Sequence, residues 1–233
     1  MEAIVLAGGK AERLGAASQG RPKSLVEVAG HPLLAYQMGI LKRAGVERVV
    51  VSCADGEGDR FTTALAGLGV EIVAAAEPER LGRGGGLRFA SGFLTEAPPV
   101  YALNGDELLD IDLLGLLALH NKHGAAATIT VAPLLSQFGI VELEEDLVRG
   151  FTEAPRLPHW VNAGVYVLDR EALERLPEKG DHETTLFPEL AAEGRMRAFR
   201  HEGLWLTVNT PKDLRRAADH VGANPQWLTA GLS

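Results

Sequence analysis

The chain is poor in cysteine, in aromatic residues and in positive charge. Its 233 residues contain one cysteine, Cys53, which excludes an internal disulfide and any metal site built from several cysteines. Lysine and arginine number 23 against 31 acidic residues, and the formal net charge is -8. Because nucleic-acid binding requires a basic face, this balance argues against a nucleic-acid partner. We therefore expect small-molecule partners.

Long hydrophobic runs are missing as well. Charges or glycines interrupt each apolar stretch before it reaches the roughly 18 residues that a membrane span needs. The start of the chain carries Glu2 where a signal peptide would carry a basic residue. The sequence thus predicts no membrane partner and, by default, a cytoplasmic location. Both a monomer and a homo-oligomer remain open.

Apolar residues and glycine are present in quantity. The composition is 46% hydrophobic, with 27 glycines, and the length suits one large α/β domain or two small ones. Short apolar runs alternate with amphipathic stretches up to about residue 124, which is typical of repeated βα units. From about residue 125, strand-like runs follow one another without helices between them. We predict one continuous domain over residues 1–233, with halves at 1–124 and 125–233.

A glycine-rich turn follows the first apolar run. The run AIVLA, residues 3–7, leads into Gly8-Gly9, and Lys10, Arg13 and Lys23 come soon after. The spacing fits neither the dinucleotide fingerprint nor the P-loop. Adjacent glycines let backbone N–H groups approach phosphate oxygens, and the three cations would neutralise a triphosphate. The alternative for this segment alone is an ordinary turn with solvated charges.

A second signal is Asn104-Gly105-Asp106, which ends the apolar run 99–104. In a parallel sheet this end lies at the same edge as the Gly8-Gly9 turn. A carboxylate facing a triphosphate is favourable when Mg²⁺ lies between them, so the pattern predicts a magnesium site at Asp106. A turn or a helix cap is the alternative, with Asp110 and Asp112 equally able to cap the next helix.

Together these segments resemble the nucleotidyltransferase superfamily of sugar-phosphate pyrophosphorylases. Its patterns LAGGxGTRL, PKxLxxVxGxPL, LGTGG, NGD, YGxV, EKP, NAGxY and WxDxGTPxDL are similar, in the same order, to segments at 6–15, 21–34, 81–86, 104–106, 138–141, 153–155, 162–166 and 205–214. The resemblance covers nearly the whole chain. It implies a nucleotide-diphospho-sugar-transferase-like, Rossmann-like three-layer α/β sandwich around a mixed, mainly parallel sheet.

The resemblance also implies an activity: magnesium-dependent transfer of a nucleoside monophosphate from an NTP to a sugar 1-phosphate or a similar phosphorylated acceptor, with release of pyrophosphate. The first half would bind the nucleotide and the second half the acceptor. The implied catalytic residues are Arg13, Lys23 and Asp106, with Asp106 holding Mg²⁺. The implied nucleotide-binding residues are Leu6, Ala7, Gly8, Gly9, Gly84, Gly85 and Asn104, and the implied acceptor-binding residues are Gly139, Glu153, Asn162, Gly164 and Asn209.

Departures from the family patterns leave the acceptor open. Ala154 stands at the acceptor-phosphate lysine, so that either Arg156 or no residue takes this role, and Thr207 stands at the second magnesium aspartate. The ending VNTPKDL, which includes Asn209, is closer to molybdenum-cofactor and adenosylcobinamide-phosphate guanylyltransferases. These enzymes are one alternative. A nucleotide-binding regulatory subunit without chemistry is another, and a glycosyltransferase using Asp110-Ile111-Asp112 as its metal motif is a third.

Overall fold

Short apolar runs supply the strands of a central sheet in the computed structural model, which describes residues 1–224. The strands are β1 (Glu2–Leu6), β2 (Glu27–Val28), β3 (His31–Pro32), β4 (Arg48–Ala54), β5 (Glu71–Glu77), β6 (Val100–Asn104), β7 (Glu107–Leu109), β8 (Ala127–Leu135), β9 (Ile140–Glu144), β10 (Leu147–Thr152), β11 (Arg156–Leu168), β12 (Met196–Arg200) and β13 (Trp205–Thr207). The α-helices are α1 (Leu33–Arg43), α2 (Gly58–Ala64), α3 (Gly82–Ser91), α4 (Leu113–His123), α5 (Arg170–Arg175), α6 (Leu186–Ala192) and α7 (Pro211–Ala223).

Seven of these strands form one sheet in the order β12-β8-β11-β6-β1-β4-β5. Every neighbouring pair is parallel except the two made by β11, which runs antiparallel to β6 and to β8. Strands from both halves of the chain therefore share a single sheet. The predicted mixed, mainly parallel sheet is confirmed.

Helices cover both faces of the sheet, as strands buried on both sides require. In β1, Ala3 and Val5 pack with α1, α2 and α4, whereas Ile4 packs with α3, α5 and α6 on the other side. No helix within residues 1–224 combines the length and the apolar content that crossing a membrane requires. The layers are those of the predicted three-layer sandwich.

Local signals account for several helix ends. The helix α4 begins where the Asp112 side chain accepts a hydrogen bond from the Gly115 N–H, and it ends at Gly124 with φ 55°. The helix α7 begins with a reciprocal capping box between Thr210 and Asp213. Asp112 therefore takes the helix-cap role that the sequence left open for it.

The helix α3 starts at Gly82, so the glycine run 84–86 lies inside the helix. A Cβ at Gly84 would lie 2.7 Å from Pro177 Cγ, and one at Gly85 would lie 2.6 Å from the Glu178 carbonyl oxygen. The glycines are therefore compatible with a helix because they allow it to pack tightly against the segment 177–182.

The hairpin of β9 and β10 stands apart from the main sheet and is exposed along almost its whole length. Its register brings Val141 opposite Phe151 and Leu143 opposite Val148, which gives one apolar face. Glu142 lies on the other face. The acidic part of this hairpin is exposed to solvent.

Two strand pairings determine where the functional segments meet. Leu6 at the end of β1 is in register with Asn104 at the end of β6, and the Gly105 N–H donates to the Leu6 carbonyl oxygen at 2.9 Å. The short strands β7 and β13 pair antiparallel, and the Val208 N–H donates to the Asp106 carbonyl oxygen at 2.9 Å. The glycine turn, the Asp106 turn and the closing segment thus come to one edge of the sheet.

Candidate active site

A pocket of about 210 Å³ opens at this edge, beyond the carboxyl ends of the parallel strands. This is where open α/β sheets bind ligands. Its lining consists of Leu6, Gly8, Gly9, Lys23, Ser24, Glu77, Arg80, Gly82, Arg83, Asn104 and Asp106. Six of the residues that the sequence assigns to catalysis or nucleotide binding are among them: Leu6, Gly8, Gly9, Lys23, Asn104 and Asp106.

Lys23 is the centre of a charged cluster in this pocket. Its Nζ forms an ion pair with the Asp106 carboxylate and donates to Asn209 Oδ1 at 2.5 Å. The guanidinium of Arg13 donates to the same Asn209 oxygen at 2.8 Å. The three predicted catalytic residues and Asn209 therefore meet, although they come from three distant segments. Two cations against one carboxylate leave the cluster with a positive charge suited to an anionic ligand.

The oxygens at this cluster suit magnesium. Mg²⁺ in nucleotide sites is commonly held by one or two carboxylates together with substrate phosphates and water. Asp106 supplies one carboxylate, and the buried Asn104 Oδ1 has no hydrogen-bond partner within residues 1–224. No group of three or more His, Cys, Asp and Glu side chains in that range forms a complete metal site by itself. The donor set fits an ion that arrives with its nucleotide.

Glu77 also lines the pocket and lies beside Gly8, whereas Lys23 lies beside Gly9. The buried Glu77 carboxylate accepts from Ser52 Oγ at 2.6 Å and from the Leu81 N–H at 3.0 Å, which fixes its orientation. Arg80 is exposed and makes no hydrogen bond or ion pair with any part of the chain that the structure describes. Sequence reasoning missed both residues. Glu77 is the last residue of a parallel strand, and this position could have indicated that it lies at the ligand-binding edge of the sheet.

The N–H groups of Gly84 and Gly85, two of the predicted nucleotide-binding residues, have partners within the chain. Both are buried, and their N–H groups donate to the Gly180 carbonyl oxygen at 2.9 and 3.3 Å. Because these amides are already used, they cannot cradle a nucleotide in this conformation. Gly82 and Arg83, one and two residues earlier, line the pocket instead. Ala7 is buried, and its N–H donates to the Ser52 carbonyl oxygen at 2.7 Å.

On the acceptor side, Asn162 is held firmly. Its Nδ2 donates to the Tyr166 hydroxyl and to Glu183 Oε1, both at 2.8 Å, and its Oδ1 accepts from the Gly164 N–H at 3.0 Å. Both amide hydrogens are therefore used. Gly164 has φ +69°, and a Cβ there would lie 2.5 Å from Asn104 Nδ2 and 2.6 Å from the Glu107 carboxylate. This glycine lets β11 approach the Asp106 turn.

Gly139 and Glu153, two of the predicted acceptor residues, are not among the residues that line this pocket. A Cβ at Gly139 would clash with the Phe151 ring. Glu153 is exposed after β10 and makes no hydrogen bond or ion pair within residues 1–224. Arg156, the candidate substitute for the missing lysine, pairs with Glu202 at 3.3 Å. Gly139 immediately precedes the exposed hairpin and Glu153 immediately follows it, a placement that local sequence similarity does not reveal.

Glu107 is a buried acid directly behind the pocket, and Thr207 is its partner across the β7–β13 ladder. Burial, and secondly the charge of Asp106, raise the pKa of Glu107 well above its usual range. Thr207 itself is not part of the pocket lining. The neutral oxygen that reaches the charged cluster belongs to Asn209.

The chain is similar to a known protein family and to several named proteins. A family model described as nucleotidyl transferase matches residues 2–224. The chain belongs to this nucleotidyl transferase family. A relative named mannose-1-phosphate guanylyltransferase catalytic subunit beta, from Drosophila pseudoobscura pseudoobscura, is 32% identical over 91% of the chain and 60% of its own length. Mannose-1-phosphate guanyltransferase beta-A from Xenopus laevis is 30% identical over 99% of the chain and 69% of its own length. The chain thus spans about three fifths to two thirds of these relatives.

Two solved structures share the fold. HddC from Yersinia pseudotuberculosis superposes with a TM-score of 0.74 at 22% identity, covering 94% of this chain and 98% of that one. A putative glucose-1-phosphate thymidylyltransferase from Bacillus anthracis, in complex with a sucrose, gives a TM-score of 0.76 at 17% identity, covering 94% and 95% of the two chains. At these identities the agreement concerns the fold, and it confirms the predicted fold class.

Replacing Lys23 tests the charged cluster of this nucleotidyl transferase. The sequence alone left the exposure of Lys23 open, but the structure buries it to 8% exposure. Lys23→Ala should weaken Mg-NTP binding at least about tenfold, because a charge-assisted contact to phosphate is lost. The free energy of unfolding should fall by only about 1 kcal/mol, since Asp106 stays partly solvated. Calorimetry and urea denaturation measure the two effects.

The matched control is Lys122→Ala, at an exposed lysine near the end of α4. It should leave nucleotide affinity unchanged. A Lys23→Ala protein that is strongly destabilised yet binds nucleotide normally would show that Lys23 serves the fold instead of the phosphates.

Proposed function

We propose that the chain catalyses magnesium-dependent transfer of a nucleoside monophosphate from an NTP to a sugar 1-phosphate, with release of pyrophosphate. The observation that carries the proposal is the meeting of Arg13, Lys23, Asp106 and Asn209 at the mouth of a pocket with a glycine-rich wall. This arrangement offers a carboxylate for a metal and two cations for phosphates. The named sugar-phosphate relatives support the same reaction class.

Phosphoryl-type transfer depends on positioning and charge neutralisation more than on covalent help. The anionic acceptor needs no general base, so its phosphate oxygen attacks the α-phosphorus and pyrophosphate leaves in line. Asp106 would hold the magnesium ion, which supplies Lewis-acid neutralisation of the phosphates when bound. Lys23 would exchange its ion pair with Asp106 for contacts to the phosphates, and Arg13 would offset charge on the leaving pyrophosphate.

The end of the pocket near Glu77 favours guanine as the donor base. With phosphates at Lys23, the base would extend past the Gly8-Gly9 backbone toward Glu77 and Arg80. A carboxylate only accepts hydrogen bonds, and guanine presents two adjacent donors at N1 and N2. Adenine carries a lone pair at N1, which the carboxylate would repel. Relatives that are named guanylyltransferases, and an HddC structure complexed with GMP-PN, support this assignment.

The other readings have less support. The named relatives act on mannose 1-phosphate and do not favour a molybdenum-cofactor or cobinamide-phosphate guanylyltransferase. A regulatory subunit without chemistry would not need the Lys23–Asp106 pair. The cytoplasmic location, the single domain and the lack of a nucleic-acid partner stay predictions from the sequence, which leaves a monomer and a homo-oligomer equally open.

Pyrophosphate release tests the proposed reaction. The protein is incubated with Mg²⁺, each of the common NTPs and a panel of sugar 1-phosphates that includes mannose 1-phosphate and glucose 1-phosphate. We expect turnover with at least one pair, and Asp106→Asn should lower kcat at least about a hundredfold because the metal loses its carboxylate. The control is Asp110→Asn, at a carboxylate beside His201 outside the pocket. Near-normal turnover by Asp106→Asn at saturating Mg²⁺ would refute the metal assignment.

The base assignment is tested by comparing GTP with an analogue, both in the unaltered protein and in a Glu77 variant. Inosine triphosphate lacks the N2 amino group, so kcat/KM for GTP should exceed that for ITP about tenfold or more, as expected for one hydrogen bond to a charged group. In Glu77→Gln this ratio should fall toward one. Glu79→Gln, at an exposed glutamate two residues away, should keep the original ratio. An unchanged GTP-to-ITP ratio in Glu77→Gln would contradict the role of Glu77.

A further inference from the structure

A chain of hydrogen bonds runs from the nucleotide pocket to the predicted acceptor residue Asn162. Arg83, which lines the pocket, donates to Glu183 Oε1 through Nη1 at 2.8 Å. The same carboxylate oxygen accepts from Asn162 Nδ2 at 2.8 Å. Resting on the proposed function, we infer that Glu183 is a positioning residue that orients Asn162 toward the acceptor and ties that orientation to the nucleotide-side Arg83.

The segment carrying Glu183 is anchored to the nucleotide side at several points. The Gly180 N–H donates to the Leu81 carbonyl oxygen at 2.7 Å, and the Gly180 carbonyl oxygen accepts from Gly84. Arg83 Nε donates to Asp181 Oδ2 at 2.8 Å. Gly84 and Gly85, which the sequence assigns to nucleotide binding, therefore help to hold the segment 180–183 in place.

The same segment is anchored on its other side by aromatic packing. His182 is fully buried between Tyr166 and Phe187, with ring centroids 5.4 and 4.7 Å away. Burial lowers the pKa of His182 to about 4, so its ring is neutral at physiological pH. Asp181 and Glu183 flank this anchor, and their carboxylates point to Arg83. The backbone around Glu183 is thus restrained from both sides.

Glu183 determines what Asn162 can offer to a ligand. Because Glu183 and the Tyr166 hydroxyl take both amide hydrogens of Asn162, the amide cannot flip. Its Oδ1 keeps one lone pair beyond the bond from Gly164, so Asn162 is presented as an acceptor for a sugar hydroxyl. Without Glu183, the amide can rotate and present a mixture of donor and acceptor. Arg83 would then also lose a partner.

Kinetics in the full chain test this inference. Glu183→Ala should raise the KM for mannose 1-phosphate, or for the best sugar phosphate of the panel, at least about fivefold with a smaller change in kcat. Arg83→Ala should also raise the acceptor KM, although Arg83 lines the nucleotide pocket. The double variant Glu183→Ala/Asn162→Ala should have nearly the same acceptor KM as Asn162→Ala alone, because Glu183 acts on the acceptor only through Asn162.

The matched control is Lys179→Ala. Lys179 pairs with Glu79 at 2.5 Å and so joins the same two segments, but it has no bond to Asn162. It should leave the acceptor KM unchanged. If Glu183→Ala does not fold, Glu183→Gln is used, since it keeps an oxygen for Asn162 and loses the charge for Arg83. Its KM should lie between those of the unaltered protein and Arg83→Ala.

The outcomes separate the inference from the proposed function. Turnover by the unaltered protein, combined with an unchanged acceptor KM in Glu183→Ala, overturns the inference alone. The inference is also overturned if the double variant raises the acceptor KM by the product of the two single effects, because the two residues then act independently. A complete lack of turnover with every NTP and sugar phosphate overturns the proposed function and the inference with it.

Discussion

The contact between Lys23 and Asp106 organises the candidate site, and the sheet makes it possible. Because β1 and β6 are parallel neighbours, the turns that follow them leave the sheet at the same edge. The ion pair then holds the Lys23 segment against the Asp106 turn, and Asn209 and Arg13 complete the charged cluster. Lys23 and Asp106 neutralise each other at this edge. In the complex that we propose, the metal would neutralise Asp106 and the phosphates would neutralise Lys23.

Sequence reasoning reached the fold and the charged cluster because both follow from local rules. Alternating apolar runs predict βα units, and strand ends in a parallel sheet must share an edge, so Gly8, Gly9 and Asp106 could be assigned together. The capped helices ending at Gly124 and beginning at Thr210 follow from equally local signals. Each of these features is determined by a few residues that are neighbours in the sequence.

Sequence reasoning is weakest where tertiary packing decides. The glycines at 84 and 85 have the composition of a phosphate loop, but their amides donate to the carbonyl oxygen of Gly180, in the second half of the chain. Gly139 and Glu153 have the expected motif neighbours, yet they flank a hairpin that stands away from the pocket. Glu77 and Glu183 carry no motif. Their positions become informative only when the strand ends and the segment 180–183 are seen together.

The most direct test of the central claim is a structure of the protein with Mg²⁺ and a non-hydrolysable GTP analogue. The account predicts that the ion pair opens, with the metal bound to Asp106, Lys23 on the phosphates and the base next to Glu77. Observing the Lys23–Asp106 pair intact, with the nucleotide bound elsewhere or its base pointing away from Glu77, would contradict the account.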